Sequence, residues 1–218
     1  MKVLAVNGSP RPMGNVSNIL HEVSDMFERE GVEVEYLHIY DHQFANCNVC
    51  MTCEIRGDCR CADEDDGLNE ILEQMRGADA ILIASPTYMN GCPSMLQTFL
   101  ERAMLVMRHG GFPLTGKPGG VVTVCGHDGG SLVYNQLTDF LLRNKMLAVG
   151  AYPLPIIRSW HSPGYEDDVE GMRGVRSLVE GMVDALVRLE ERRRKKKNPQ
   201  PSDWEILATA SILSRGPE

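Results

Sequence analysis

Four cysteines lie close together in the segment CNVCMTCEIRGDC of this 218-residue chain. Their spacing is C-x2-C-x2-C-x5-C, and the residues are Cys47, Cys50, Cys53 and Cys59. Such a compact set of thiolates is typical of a metal or iron–sulfur site, because three sulfurs can point into one small volume from a single irregular loop. Electron transfer is therefore the first hypothesis for the function.

Three alternatives to this ligand set stay open on spacing alone. A structural zinc site usually takes two pairs of ligands separated by a longer spacer, so the tight run favours iron and sulfur over zinc. Disulfide bonds are a weaker explanation, since cysteines two residues apart rarely form an unstrained bridge with each other. Cys61 follows Cys59 after one residue and could supply the fourth sulfur, although we assign Cys59.

Composition narrows the class of protein. The chain is 43% hydrophobic and 24% charged, which is enough for one full-sized domain. The apolar start is too short for a secretory signal, and no stretch reaches the roughly eighteen apolar residues of a membrane helix. We therefore expect a cytoplasmic protein that keeps its cysteines reduced and does not bind membranes. The net charge of −8 argues against binding to nucleic acid.

Hydrophobic periodicity alternates between strands and helices along the chain. The five predicted strands span residues 2–7, 32–38, 80–85, 120–125 and 147–152, with helices between them and the cysteine loop (47–61) inserted after the second strand. This alternation predicts an α/β fold with a doubly wound parallel five-stranded sheet. We predict one domain over residues 1–197 and an appended C-terminal tail over residues 198–218.

The turn after the first strand reads GSPRPMGNVSN, directly before a helix. Its backbone amides, its hydroxyls and the positive end of the helix could hold a phosphate group. The turn lacks both the G-x-x-x-x-G-K pattern and the G-x-G-x-x-G pattern of other nucleotide-binding loops. A purely structural turn with Ser17 as the helix N-cap is the competing interpretation.

Two further strands end in loops suited to a flat ligand. The third strand is followed by SPTYMNGCP, whose prolines and glycine predict a rigid loop with an aromatic face. The fourth is followed by the glycine-rich CGHDGGS. Because ligands of such sheets bind beyond the carboxyl ends of the strands, three loops could hold one mononucleotide, and the outline is that of a flavin site.

These motifs, in this order over about residues 1–190, resemble the iron–sulfur flavoproteins of the flavodoxin-like NAD(P)H-dependent FMN reductase superfamily. The resemblance implies a 2-1-3-4-5 sheet, FMN, a 4Fe-4S cluster near the FMN, and a homodimer or homotetramer. It places the flavin phosphate on Ser9, Arg11, Asn15 and Ser17. Many relatives have a hydroxyl residue where this chain has Val16, so Ser17 or Asn18 is expected to supply that contact instead. The resemblance places the flavin ring on Pro86, Thr87, Tyr88, Met89, Asn90 and Gly91, and on Gly126, His127, Gly129 and Gly130.

The expected function is a flavin-dependent oxidoreductase or electron-transfer protein without a catalytic acid–base triad. Single electrons would pass from a ferredoxin-like donor through the cluster to FMN and on to a small-molecule acceptor. A cluster-free NAD(P)H-dependent FMN or quinone reductase is the first alternative. A zinc-stapled nucleotide-binding module is the second.

Overall fold

The computed structural model describes residues 1–63 and 66–197, so the predicted tail lies outside the described residues. The strands are β1 (Lys2–Asn7), β2 (Glu33–His38), β3 (Ala80–Pro86), β4 (Pro118–Cys125), β5 (Leu147–Ala148) and β6 (Ile156–Arg158). The α-helices are α1 (Asn15–Arg29), α2 (Thr52–Arg56), α3 (Leu68–Gly77), α4 (Ser94–His109), α5 (Gly130–Arg143) and α6 (Val169–Lys197).

All strand pairs are parallel, and the sheet order is β2-β1-β3-β4-β5. The predicted doubly wound fold and its 2-1-3-4-5 order are therefore confirmed. The prediction of a continuous fifth strand over residues 147–152 is wrong. The fifth position holds two short strands, of which β5 pairs with the start of β4 and β6 pairs with its end.

The interruption between β5 and β6 has a local cause. Gly150, Pro153 and Pro155 all fall between the two strands. Proline has no backbone N–H to donate to the sheet, so a run that contains two prolines cannot continue the hydrogen-bonded ladder. The chain returns to β4 where Thr123 donates its backbone N–H to the Pro155 carbonyl at 3.0 Å. This return places the residues after β6 beside the carboxyl end of β4.

The sheet separates two hydrophobic layers. Successive residues of β1 point to opposite faces, so Val3 packs in one layer and Leu4 in the other. One layer contains the buried sides of α1 and α6, and the other contains those of α3, α4 and α5. The apolar stripe of α1 has helical spacing and comprises Val16, Ile19, Leu20, Val23 and Phe27.

The chain forms two compact units, Met1–Leu186 and Val187–Glu218. The first contains the whole sheet and α1 to α5. In the described part of the second, Arg194 pairs with Glu190 one turn earlier at 3.3 Å. No helix within residues 1–63 and 66–197 is long and apolar enough to cross a membrane.

Candidate functional site

A cleft of about 190 Å³ opens at the carboxyl ends of the strands. Four segments surround it: the loop after β1, the end of β3, the end of β4, and the segment after β6. The lining residues are Ser9, Arg11, Gly14, Asn15, Val16, Pro86, Thr87, Tyr88, Val124, Cys125, Gly126, Ser159, Trp160, His161 and Ser162. The cleft thus lies where doubly wound sheets bind their ligands.

The loop after β1 is fixed against the neighbouring strand. Gly8 donates its N–H to the Ala84 carbonyl at 2.8 Å, and a Cβ at Gly8 would lie 2.4 Å from the side chain of Leu96. Ser9 is buried, and its hydroxyl oxygen accepts from the Arg11 backbone N–H at 3.1 Å. A larger residue at position 8 would have to push the Leu96 side chain of α4 aside, so the start of the loop packs closely on the third strand and its helix.

The loop leads into the N-terminus of α1 without a side-chain cap. Gly14 is the N-cap residue, and no described side chain bonds to the first turn in the manner of a cap. The N–H groups of the first turn therefore lack intrahelical acceptors and carry the positive end of the helix dipole. Together with the Ser9 hydroxyl and Arg11, this arrangement fits a bound phosphate.

Ser17 has a different position from the one predicted. Its hydroxyl accepts from Asn7 Nδ2 at 2.9 Å and donates to the Arg11 carbonyl at 3.4 Å. It is not the N-cap, because the helix begins two residues earlier, and neither Ser17 nor Asn18 lines the cleft. The Ser17 side chain points inward because its place on the first turn faces β1. Ser17 therefore stabilises the loop through its hydrogen bonds to Asn7 and to the Arg11 carbonyl.

Asn15 connects two walls of the cleft. Its Nδ2 donates to the Ser159 hydroxyl at 2.9 Å and to the His161 carbonyl at 2.7 Å. Its Oδ1 is buried and has no hydrogen-bond partner among the described residues, and the same is true of Thr87 Oγ1. Buried polar atoms are nearly always hydrogen-bonded, so two orphaned atoms in one lining fit a polar ligand with hydroxyl groups.

The loop after β3 forms a tight turn. Tyr88 and Gly91 exchange both backbone hydrogen bonds at 2.9 Å, and Met89 and Asn90 both have positive φ, at 49° and 62°. This is the pattern of a type I′ turn, in which asparagine is favoured but methionine is not. The turn leaves the Met89 side chain fully exposed. Of the predicted ring contacts in this loop, Pro86, Thr87 and Tyr88 line the cleft, whereas Met89, Asn90 and Gly91 form the turn beyond it.

The loop after β4 meets the other walls through its glycines. A Cβ at Gly126 would lie 2.3 Å from the Trp160 ring, and one at Gly129 would lie 2.5 Å from Asn90 Oδ1. His127 packs on Trp160 with ring centroids 4.1 Å apart. Gly126 lines the cleft, while His127, Gly129 and Gly130 hold the loop against its neighbours.

Sequence reasoning missed the fourth wall of the cleft, residues 159–162. This wall follows β6, a strand of three residues. Three residues are too few to show the alternation of apolar and polar side chains that identifies a strand in a sequence. A usable signal was present in the polar and aromatic run SWHS, which follows the apolar pair Ile156 and Ile157 after one residue, Arg158.

The cysteine loop surrounds a second cavity of about 80 Å³ against the last two turns of α4. The cysteines in its lining are Cys47, Cys50, Cys53 and Cys61. Cys59 is not part of this lining; it is buried, and its thiol donates to the Gly110 carbonyl at 3.2 Å. The structure thus brings together three of the four predicted ligands and adds Cys61. In residues 1–63 and 66–197, no three ligand-type side chains are grouped closely enough for one metal ion.

The backbone of this loop adopts unusual conformations. Val49, Met51 and Cys59 have positive φ, between 55° and 61°. Such angles are uncommon for residues other than glycine and are least favourable for a β-branched valine. Strain of this kind persists only where the surrounding structure holds the backbone in place.

The thiols of this loop differ in their acidity. Hydrogen bonds from Thr52 lower the pKa of the Cys50 thiol below its usual range. Burial raises the pKa of the Cys53 thiol. Soft sulfur donors of this kind are chemically suited to an iron–sulfur cluster, although the described residues do not group three of them as one metal site.

The two cavities lie toward opposite ends of α4. The flavin-type cleft is lined by residues 86–88, shortly before the helix begins at Ser94, whereas the cysteine cavity is lined by Arg102, Leu105, Val106 and His109. Eleven residues of helix separate Ser94 from Leu105, or about 17 Å at 1.5 Å per residue. The two cavities share no lining residue within one chain, and the 4Fe-4S cluster near the FMN stays a prediction.

The fold and the cleft define an α/β protein that binds a mononucleotide at the switch point of a flavodoxin-like sheet. Residues 1–160 match the family model described as NADPH-dependent FMN reductase, so the chain belongs to that family. It is a flavin-dependent oxidoreductase or electron-transfer protein, and its cofactor is FMN.

The relatives agree with the resemblance seen in the motifs. An iron–sulfur flavoprotein of Methanocaldococcus jannaschii is 34% identical over 152 residues, covering 69% of this chain and 76% of that protein. An iron–sulfur flavoprotein of Methanosarcina thermophila is 28% identical over 197 residues, covering 89% of this chain and 100% of that protein. The structure of RosB with a bound 8-demethyl-8-formylriboflavin-5'-phosphate has a TM-score of 0.68 at 21% identity, covering 100% of this chain and 89% of that one.

Proposed function

We propose that this protein passes single electrons from a ferredoxin-like donor, through a 4Fe-4S cluster on the cysteine loop, to FMN and on to a small-molecule acceptor. The observation that carries the proposal is the cysteine cavity, which four thiols of one loop line in a chain of an FMN-binding family. FMN accepts one or two electrons, which suits it to follow a one-electron centre.

The cleft residues divide into two groups around the flavin. Ser9, Arg11 and the first turn of α1 would hold the phosphate, where their donors and positive charge converge. Residues 86–88 and Gly126 would flank the ring. The orphaned Asn15 Oδ1, between these two groups, would accept a hydrogen bond from a hydroxyl of the ribityl chain.

We propose Cys47, Cys50, Cys53 and Cys59 as the cluster ligands. Among the described residues, the Cys59 thiol makes a weak hydrogen bond to the Gly110 carbonyl, and its backbone has a positive φ. The Cys61 sulfur instead accepts a bond from the buried Arg102 guanidinium at 3.0 Å, so ligation through Cys61 would compete with that bond. Rotating the Cys59 side chain away from Gly110 breaks only a weak thiol–carbonyl bond and should cost less free energy than breaking the bond between Arg102 and Cys61.

We also propose a homo-oligomer in which the cysteine loop of one subunit contacts the flavin cleft of another. Electron transfer slows steeply with distance, and the length of α4 separates the two sites within one chain. The loop exposes the apolar side chains of Val49, Met51 and Ile55 near the cavity. Exposed apolar groups that cluster in this way favour a protein contact. Light scattering on the wild type and on Val49→Glu would test this oligomer. The variant should have a lower molar mass than the wild type.

The NAD(P)H-dependent FMN or quinone reductase is the second candidate, favoured by the family match itself. In stopped-flow measurements of flavin bleaching, electron transfer predicts that reduced ferredoxin acts much faster than NADPH or NADH. A Cys50→Ala protein that still binds FMN should lose the ferredoxin route selectively. Fast reduction by NAD(P)H, unaffected by Cys50→Ala, would favour the reductase.

The presence of the cluster is a separate question with a direct measurement. Protein purified without oxygen should contain iron, sulfide and flavin in stoichiometric amounts and should be brown. Yellow protein with flavin alone would indicate the cluster-free reductase. Zinc without iron or flavin would indicate the nucleotide-binding module.

A further inference from the structure

Arg102 is a charged residue on the buried face of α4. Its side chain is 3% exposed, and it stands between Phe99 and Val106, both of which are buried in the core. The helical repeat predicts an apolar residue at this position. Burying an unpaired guanidinium costs several kcal/mol, so the site must compensate the charge. Sequence reasoning overlooked this exception to the apolar stripe, which is itself a signal of function.

The guanidinium is held by three partners. Its Nη1 donates to the Ala45 carbonyl at 3.0 Å and forms an ion pair with the Asp66 carboxylate. Its Nη2 donates to the Cys61 sulfur at 3.0 Å. Arg102 is thereby fixed between α3's N-terminal side and the cysteine loop, with its charge directed at a sulfur of the cavity.

Arg102 also borders the cysteine cavity directly. Among the described residues of that lining, it is the side chain with a permanent positive charge, while Asp63 and His109 are the other ionisable groups besides the cysteines. Asp66 stands behind it, and its second oxygen accepts from the Leu68 backbone N–H at 3.2 Å. The cavity is therefore lined by the cation Arg102, which forms an ion pair with the carboxylate of Asp66.

We propose that Arg102 is a positioning residue that raises the reduction potential of the cluster, and that Asp66 opposes this effect. The inference rests on the proposed function, since it requires a cluster in the cysteine cavity. A reduced cluster carries one more negative charge than the oxidised one, so a nearby fixed cation stabilises the reduced form. Charge and hydrogen bonds to sulfur are among the features that set the potentials of such clusters.

The test is a potentiometric titration with dithionite, followed by electron paramagnetic resonance, on the full chain purified without oxygen. Arg102→Gln should lower the midpoint potential by about 59 mV or more, which is a tenfold change for a one-electron couple. Arg102→Lys should restore part of the shift because it keeps the charge. Asp66→Asn, which retains an oxygen for Leu68, should raise the potential.

Arg108→Gln is the matched control, because it removes the same charge from an exposed position of the same helix. It should leave the potential unchanged, since exposed charges are screened by solvent. A merely structural role would reduce iron content and stability in both the Arg102 and Asp66 variants without shifting their potentials in opposite directions.

Two outcomes would overturn the inference in different ways. If iron and sulfide are stoichiometric and the potentials of Arg102→Gln, Arg102→Lys and Asp66→Asn equal that of the wild type, Arg102 does not set the potential and the proposed function stands. If the wild type contains no iron and sulfide, the proposed cluster fails and this inference fails with it. If Arg102→Gln does not fold, the signs of the shifts in the other two variants still decide the question.

Discussion

The side-chain amide of Asn15 spans the cleft to reach Ser159, with Nδ2 and Oγ 2.9 Å apart. This bond joins the first turn of α1 to the segment after β6, two regions 144 residues apart in the sequence. It also fixes the amide so that its buried Oδ1 is left without a protein partner. One residue therefore ties two walls of the cleft together and leaves one buried acceptor unpaired among the described residues.

Replacing Asn15 should weaken FMN binding. Asn15→Ala removes the bonds to Ser159 and His161 and the acceptor facing the ligand, and each such bond contributes about 1 kcal/mol. The dissociation constant, measured by flavin fluorescence, should rise roughly tenfold or more. Asn18→Ala, one turn along and outside the cleft, is the control and should bind FMN normally. Equal losses in both variants would contradict this role of Asn15.

Ser9 and Ser17 should differ, although both were predicted to contact the phosphate. Ser9→Ala removes a hydroxyl beside the expected anion, where a charged hydrogen bond is worth about 1.5–3 kcal/mol, so FMN affinity should fall roughly ten- to a hundredfold. Ser17→Ala removes bonds to Asn7 and Arg11 and should chiefly lower the free energy of unfolding by about 1 kcal/mol. Titration calorimetry and urea unfolding separate the two effects.

Riboflavin is the control ligand for this pair. Because it lacks the phosphate, its affinity for Ser9→Ala should equal that for the wild type. If Ser9→Ala weakens riboflavin as much as FMN, the loop after β1 does not hold the phosphate.

A methyl group at Gly126 should disturb the aromatic wall of the cleft. Its Cβ would lie 2.3 Å from the Trp160 ring, so the ring must move away and break its packing on His127. We expect Gly126→Ala to lower FMN affinity at least tenfold, as measured by flavin fluorescence. Gly91→Ala, whose Cβ would make an ordinary 3.8 Å contact in the neighbouring loop, should have little effect. Normal binding by Gly126→Ala would exclude the wall from the flavin site.

The fourth cluster ligand can be identified with two single substitutions. Cys50→Ala should abolish stoichiometric iron, and Cys59→Ser should do the same, whereas Cys61→Ser should retain it nearly unchanged. Iron and sulfide analysis of anaerobic protein is the measurement. Retention by Cys59→Ser together with loss by Cys61→Ser would transfer the ligand role to Cys61, which already borders the cavity.

The thiols should also differ in reactivity once the protein is free of iron. The thiolate is the reactive form, hydrogen bonds from Thr52 lower the pKa of Cys50, and burial raises the pKa of Cys92 to about 11. Near neutral pH, iodoacetamide should label Cys50 well before Cys92, and Cys92 should become reactive only as the pH approaches its raised pKa. Peptide mass spectrometry over a pH series measures both rates. Faster labelling of Cys92 would contradict the burial seen at that site.

The sequence by itself determined the alternation of strands and helices, the three strand-end loops and the cysteine segment, whereas the sheet order followed from the family resemblance. These features are local: the period of apolar residues identifies β1, β3 and β4, and glycine and proline mark the turns that follow them. Once parallel strands are in place, their carboxyl ends must share one edge of the sheet. The position of the flavin cleft was therefore predictable from local patterns alone.

The tertiary structure decided which side chains face which cavity. Ser17 points at Asn7, Arg102 reaches Cys61 from another helix, and Trp160 arrives at the cleft through a strand too short to show a period. The same holds for Cys59, whose spacing predicts a ligand but whose side chain bonds to Gly110. Spacing constrains how far a residue can reach, but the direction of a side chain depends on packing between segments distant in the sequence. That packing places the cleft and the cysteine cavity toward opposite ends of α4, which no local pattern in the sequence specifies.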